Sequence, residues 1–406
     1  MEFQKCNEIK VLRDPVNGYV HVELQVIWDC INSSWFQRLR RIRQLGGACM
    51  VYHCAEHSRF SHSLGVYEIV RRMTEEVPDI RSALSDYEKV LAMAAGLLHD
   101  LGHGPYSHAF EFVTETAHEV YTCRILEGDT DVHDILEHAC PGLAKDVADV
   151  IRHDYRNPLI GQMISSQLDA DRMDYLIRDA YFTGTKYGEF DRERILRTLR
   201  VREGQLVIKQ SGVYAVENYI MARYHMYWQI YYHPVARSYE RVLLALFRRL
   251  RDLHRLLDDS LSFLNPLIMG EDIPLPVYFR MDEHSFSYAF LCLCEHEDAI
   301  VSDLARRIRD RRLFEYIDAD DENRETVYEN LIKAGYDPRY FWRTDGVMQI
   351  PYVPYQEEEG NAIWVSMKNG EIREVSDASS IVHSLIHGES HDDNKVFFPD
   401  CGGNEK

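Results

Sequence analysis

Seven histidines fall between positions 53 and 118: His53, His57, His62, His99, His103, His108 and His118. A single histidine is usually a packed or surface residue, but a run of them beside carboxylates can supply metal ligands and general acids. The densest piece is AAGLLHDLGHGPYSHAF (94–110), an apolar helix ending in the dyad His99-Asp100. A neutral imidazole beside a carboxylate suits a divalent cation of borderline softness. Gly102, Gly104 and Pro105 then break the helix and let His103 and His108 turn back toward the dyad. The plainer reading, in which Asp100 only ends the helix, leaves those two histidines without a role.

Two more segments can complete the site. In EHSRFSHSLGVYEIV (56–70), His62 heads a helical stripe with Val66, Ile69 and Met73 that should face the core. Such a histidine is either bonded to a core carbonyl or a ligand held by packing. In SSQLDADRMDYLIRDAYFTG (165–184), Asp171, Asp174, Tyr175 and Arg178 share one helical face, and Asp169 suits the N-cap. Asp171 is thus the candidate fourth ligand beside His62, His99 and Asp100. Two histidines and two aspartates leave coordination positions open for water and a substrate oxygen, as a catalytic metal requires. Mg²⁺, Mn²⁺, Fe²⁺, Zn²⁺, Co²⁺ and Ni²⁺ all stay open.

The elements that must position these residues are mostly helical. Residues 1–31 read as an extended arm with a short hairpin at RDPVNGYVHVEL, marked by its Asn-Gly turn. Asn32, Ser33 or Ser34 can cap a helix through WFQRLRRIRQL that stops at Gly46-Gly47. Helical stretches follow at 61–74, 86–99, 107–126, 132–139, 142–153, 170–181 and 191–199, with a long one over 214–257. Residues 32–265 are expected to form the helical catalytic domain. After the Pro/Gly-marked NPLIMGEDIPLP, residues 266–400 read as a smaller α+β unit. It has helices at 285–293 and 297–311, and strands in GVMQIPYVP, NAIWVSMKNGEIREV and KVFFP. The tail 401–406 is expected to be disordered. The fold class is mainly α.

Composition narrows the partners. With 406 residues, 45% of them hydrophobic, the chain can bury a large core. A formal charge of −20 argues against a broad nucleic-acid platform, although a metal and a few arginines can reverse the field inside one pocket. Nine cysteines, an odd number without a CxxC pair, read as reduced thiols. Cys292-Leu-Cys294 lacks the second pair a zinc site needs. The start has no apolar signal core, and no apolar run approaches the ~20 residues of a membrane span. Cytoplasm is the expected location.

The ordered series KVLRDPVNG, FQRLRRIRQLGG, SRFSHSLGV, LLHDLGHGPYSHAFE, His118-Glu119, DADRMDYLIRDAYFTG and ARYHMYWQIYYH resembles the HD superfamily of metal-dependent phosphohydrolases, covering about residues 10–240. The closer likeness is to its deoxynucleoside triphosphate triphosphohydrolase branch, whose members release deoxynucleoside and intact triphosphate. The resemblance implies that Gln44, followed by Leu45, reads the sugar 3′-hydroxyl. Arg59, His103, His108, Arg172 and Arg223 would contact phosphates. Tyr175 and Asp179 match phosphate- and 3′-hydroxyl-contacting positions, and Tyr231 lines the sugar pocket where a 2′-hydroxyl would clash. His118-Glu119 belongs to the catalytic machinery, and His108 and His118 both stand as proton donors to the leaving 5′ oxygen. Tyr227 departs from the histidine of vertebrate members, which bears on base or phosphate contacts. Helix packing is the ordinary reading of Tyr224, Tyr227, Tyr231 and Tyr232 without the family match.

The resemblance also implies a homo-oligomer, with a tetramer expected; the arginine-rimmed apolar face of 241–257 offers a surface for it. A guanine-nucleotide effector site in the family matches Lys10, Val11, Gln37 and Arg40 here, but an aspartate of that site is Asn32. A second effector position keeps Arg194 while Lys209, Ser211 and Ala215 differ. Losing one charge-assisted bond to guanine weakens the preference by ~1–3 kcal/mol, so obligate activation by GTP is not expected. The competing readings are an HD phosphodiesterase or nuclease, a two-iron HD oxygenase, and a nucleotide-sensing regulatory protein. No P-loop and no GxSxG elbow is present.

Overall fold

A computed structural model describes residues 3–258, 260–349, 352, 362–387 and 391–401. Residues 402–406 of the expected tail 401–406 and part of the GVMQIPYVP segment lie outside the described residues. The fold is mainly helical, as expected. Ser85 opens the helix Asp86–Leu98 with a capping box to Glu88, and every residue from Val90 to Leu98 is buried. A helix apolar on all sides needs neighbours on all sides. The helix Arg59–Glu76 packs against it and also against Ala170–Thr183. Gly96 allows the first approach, since a Cβ there would lie 2.9 Å from Val70 Cγ2. Truncating Leu97, fully buried in the same helix, should cost about 2–5 kcal/mol.

This packing sets chemistry at helix ends. His62 sits in the first turn of Arg59–Glu76, Asp171 in the first turn of Ala170–Thr183, and His99 directly follows Leu98. The expected stripe His62, Val66, Ile69 and Met73 is buried. Asp169 caps Ala170–Thr183, accepting from the Arg172 amide at 2.6 Å.

The N-terminal hairpin pairs Lys5–Asp14 with Gly18–Leu24, Asp14 opposite Gly18. Asp14 Oδ1 closes the turn by accepting from the amides of Val16 and Asn17 at 3.0 and 2.7 Å. A helix, Gln25–Asn32, begins where the arm was expected to remain extended.

Three helical expectations need correction. The FQRLR helix is capped by Ser33, and regular helix ends at Arg38 with one tighter turn, Leu39–Arg41. The chain then extends because it pairs with 57–59: Arg59 N–H donates to Ile42 O at 2.8 Å and Gln44 N–H to His57 O at 3.0 Å. The 107–126 stretch is two helices, His108–Thr114 and His118–Glu127, separated by left-handed Glu115 (φ 55°). The 214–257 stretch breaks at a wide π turn, Tyr227–Tyr231, and at Pro234, whose ring cannot continue a helix.

Beyond 265 the chain is α+β. Glu315–Asp318, His391–Phe398 and Arg343–Gln349 form an antiparallel sheet. A second sheet joins Leu199–Arg202 and Gln205–Lys209 to Trp364–Ser366 and Ile372–Glu374, so strands from both sides of residue 265 share hydrogen bonds. One apolar core runs from the hairpin to Phe398. The face of 241–257 expected to serve an oligomer is spent here: Val242, Leu243, Leu246, Phe247 and Leu250 are buried, and their helix Pro234–Leu253 packs against Ala299–Arg309. No described helix is long and apolar enough to cross a membrane.

Candidate active site

The four candidate ligands meet. His62 Nε2 lies 3.0 Å from Asp171 Oδ1 and 3.7 Å from Asp100 Oδ2. His99 Nε2 lies 3.3 Å from Asp100 Oδ1 and 3.7 Å from Asp171 Oδ1. The opposite ring nitrogens are already used. His62 Nδ1 faces Asp174 Oδ2 at 2.9 Å and His99 Nδ1 faces the Gly96 carbonyl at 2.9 Å; both partners only accept, so both Nδ1 atoms donate. With Nδ1 committed, Nε2 is the atom each ring turns inward, and both are buried without a hydrogen-bond partner. Orphaned imidazole nitrogens facing two carboxylates are what a divalent cation would satisfy, so the residues fit the metal the sequence implies. His62, His99 and Asp100 form one group able to hold an ion.

The electrostatics agree with crowding around one cation. Burial opposes charge on His62, but Asp171 and Asp174 hold its proton up to about 10. Burial would raise Asp100, yet Arg59 beside it, with Nη1 at 2.5 Å, and the nearby histidines keep its carboxyl well below the usual range. His103 is pushed well below the ordinary histidine value by burial and by Arg59, so it is neutral at pH 7.

A histidine stack adjoins the quartet. His103 and His118 stack with centroids 3.6 Å apart. His118 donates from Nδ1 to Glu111 Oε1 at 2.6 Å, while its Nε2 lies 3.9 Å from Asp100 Oδ1. Glu111 was not singled out in the sequence, although it lies three residues after His108 on the same short helix. Glu119, the carboxylate the sequence favoured, is half exposed with Oε2 3.3 Å from the same nitrogen. His108 is exposed and 3.3 Å from Glu111 Oε2.

The other wall carries the sugar-reading candidates. Asp179 is gripped at both oxygens: His57 Nε2 donates to Oδ1 at 2.7 Å and the Tyr231 hydroxyl to Oδ2 at 2.8 Å. His57, stacked on Phe182 with centroids 4.5 Å apart, is a second residue the sequence left without a role. Gln44, Leu45, Arg59, His103, His108, His118, Glu119, Arg172, Tyr175, Asp179, Tyr227 and Tyr231 line one cavity of about 530 Å³ together with His99, Asp100 and Asp171. Arg223 does not line it; it donates to Gln167 at 2.7 Å and lies 5.8 Å from the Tyr227 ring centre.

The loop between the dyad and His108 is strained. Tyr106 and Ser107 both have positive φ, 64° and 55°. Such conformations persist only where surroundings over-determine them. Here Glu283 Oε1 accepts from the amides of Tyr106 and Arg43, each at 3.0 Å, and Ser107 donates to Arg43 O at 2.7 Å. Tyr278 donates to Gly102 O at 2.5 Å, and buried Arg38 links His103 O to Met281 O. Segments after residue 265 therefore hold the active-site loop from behind.

The candidate effector residues gather only in part. Lys10 lies over the Trp28 ring at 5.9 Å, Asn32 donates to Trp28 O at 2.7 Å, and Arg40 donates to Gln37 Oε1 at 2.8 Å while stacking on Phe60. Val11 is exposed. Arg194 belongs to a different element, donating to Ser211 O at 2.9 Å.

Comparison with known proteins places this geometry. The HD-domain model matches residues 59–179, and the model for the HD-associated region matches 190–334. The uncharacterised protein YwfO of Bacillus subtilis (strain 168) is 48% identical over 97% of this chain and 93% of its own length. The chain belongs to the HD-domain phosphohydrolase family. The HD dyad is His99-Asp100, inside the matched segment, and Glu283 and Tyr278 lie in the HD-associated region. A solved structure described as a phosphohydrolase from Bacteroides thetaiotaomicron VPI-5482 superposes with a TM-score of 0.83 at 27% identity, covering 96% of this chain and all of that one. A Dictyostelium discoideum protein named deoxynucleoside triphosphate triphosphohydrolase SAMHD1 homolog is 28% identical over 65% of this chain, a match spanning 54% of that protein.

Proposed function

We propose that this HD-domain protein hydrolyses deoxynucleoside triphosphates to deoxynucleoside and inorganic triphosphate. The observation that carries the reading is Asp179, immobilised by His57 and Tyr231 in the same cavity as His99, Asp100 and Asp171 of the quartet. A metal site alone fits any phosphohydrolase; a fixed carboxylate across from it suits a sugar hydroxyl. Gln44 and Asp179 receive the 3′-hydroxyl, and Tyr231 crowds the 2′ position. The name of the Dictyostelium relative supports the substrate class.

His62, His99, Asp100 and Asp171 would hold a divalent cation, which supplies charge neutralisation at the α-phosphate and lowers the pKa of water. Arg59 and Arg172 offset phosphate charge at the cavity wall, although each already faces a carboxylate, Asp100 and Asp169. The water oxygen bonds to the α-phosphorus, the P–O5′ bond breaks, and the 5′ oxygen takes a proton. His118 is the better placed donor. Glu111 holds its Nδ1, so its exchangeable proton sits on Nε2 toward Asp100 and the cavity. Neutral His103 stacks beneath it without adding charge. His108 stays at the exposed mouth for the distal phosphates, and Arg223 acts through Tyr227 rather than by direct contact.

The protein is also proposed to assemble as a homotetramer in the cytoplasm; light scattering showing an active monomer would contradict the assembly. The substrate reading is tested by paired rates on dATP and ATP with Mn²⁺, for wild type and Tyr231→Ala. A strong deoxy preference that shrinks about ten-fold in Tyr231→Ala supports it. Equal turnover of both by the wild type contradicts it.

A further inference from the structure

The hairpin turn and the metal quartet are joined by buried charge. His62 gives its Nδ1–H to Asp174 Oδ2 at 2.9 Å. Asp174 is held by Arg178, whose Nε reaches Oδ2 at 2.7 Å and Nη2 reaches Oδ1 at 2.9 Å. Arg178 turns its remaining edge to the hairpin, meeting Asp14 Oδ2 at 2.8 Å from Nη1 and Oδ1 at 3.2 Å from Nη2. Asn17, in the same turn, donates to both Asp14 and Asp174 at 3.1 Å and accepts from Arg192 at 2.8 Å. His62, Asp174 and Arg178 are fully buried and Asp14 nearly so. The space is reserved by Gly65, one turn after His62, where a Cβ would fall 1.9 Å from Asp174 Oδ1.

We propose that Asp14 is a positioning residue for the metal: through Arg178 and Asp174 it sets the orientation and donor strength of His62. This rests on the quartet being a metal site. Asp174 is shared between a cation, Arg178, and an imidazole N–H. Its hold on His62 depends on how much of the Arg178 charge is neutralised elsewhere, and Asp14 is the carboxylate that does so. With a neutral side chain at position 14, Arg178 draws Asp174 more strongly. The His62 Nδ1 bond then weakens, and Nε2 becomes a poorer and less fixed ligand. A segment far from the HD dyad in sequence thereby forms part of the metal centre's support.

The test is Mn²⁺ titration calorimetry on chelator-stripped full-length protein, with visible absorption of the Co²⁺-loaded form. Asp14→Asn should weaken Mn²⁺ binding about ten-fold and shift the Co²⁺ bands. Arg13→Ala, an exposed hairpin change beside it, should alter neither. Mn²⁺ affinity within about two-fold of wild type and an unchanged spectrum in folded Asp14→Asn would overturn the proposal, as would equal losses in Arg13→Ala. Should Asp14→Asn not fold, Asn17→Ala removes a neutral side chain that donates to Asp14 and Asp174 and accepts from Arg192; about a three-fold weakening is expected, and none overturns the proposal. His99→Ala separates the underlying reading, because retained Mn²⁺ binding there would mean that the quartet is not the site.

Discussion

Glu111 Oε1 stands 2.6 Å from His118 Nδ1, and that carboxylate fixes which nitrogen of the histidine faces the reaction. Burial would raise Glu111, but His108 and His118 hold its carboxyl well below the usual range, so it stays ionised throughout neutral pH. Glu111→Gln should lower kcat about 10²-fold with little change in metal content, because it loosens the general acid rather than the ligands. Glu119→Gln, at a half-exposed position, should cost less than about ten-fold. Steady-state kinetics on both variants check this ranking; the reverse order would make Glu119 the partner of His118.

Glu283 makes the stability of the active-site loop depend on pH. Burial pushes its carboxyl up to about 7, despite two backbone donors, while its Oε2 has no partner. A carboxyl raised in the folded state holds its proton more tightly folded than unfolded. Its ionisation therefore removes stability as pH rises from its unfolded value through 7, by up to about 3 kcal/mol. Glu283→Gln keeps an acceptor for Tyr106 and Arg43 but cannot ionise. Its Tm should exceed that of wild type at pH 8 and the gap should close at pH 5. A gap that does not change with pH would contradict this.

Much of the site was legible because ligand chemistry leaves a local mark. His99-Asp100 ends an apolar run, and Asp171 heads a helix whose capping residue, Asp169, is visible two positions earlier. What the sequence hid was long-range. The sequence pointed to Glu119 beside His118, and only the left-handed break at Glu115 brings Glu111 back onto that histidine. Residues 42–44 read as the end of a helix because nothing local announces their pairing with 57–59. The apolar face of Pro234–Leu253 looked free because its cover, Ala299–Arg309, lies far along the chain.

Metal binding should release protons. A cation must displace the proton that the carboxylates hold on His62 up to about 10, so affinity should rise as pH increases through the neutral range. Calorimetric Mn²⁺ binding enthalpy at pH 7.5 should depend on the ionisation enthalpy of the buffer. His99→Ala and Asp100→Ala should bind no stoichiometric metal. Undiminished metal in both would remove the quartet from the account.

Asn32 bears on activation. It does not cap the following helix, a role Ser33 fills, and its amide donates to the Trp28 carbonyl. An amide there offers guanine one acceptor where a carboxylate offers two charged ones. Single dNTPs should be turned over without GTP, and Asn32→Asp should strengthen the response to GTP. Rates with and without GTP decide; a wild-type preparation inert until GTP is added would contradict the argument.

The most direct measurement follows the bond that breaks. Turnover of a single dNTP with Mn²⁺ in ¹⁸O-water, analysed by mass spectrometry, should give unlabelled deoxynucleoside and intact triphosphate carrying one ¹⁸O. Release of orthophosphate, or of deoxynucleoside monophosphate with pyrophosphate, would contradict the proposed reaction, and ¹⁸O in the deoxynucleoside would place the attack on carbon rather than phosphorus.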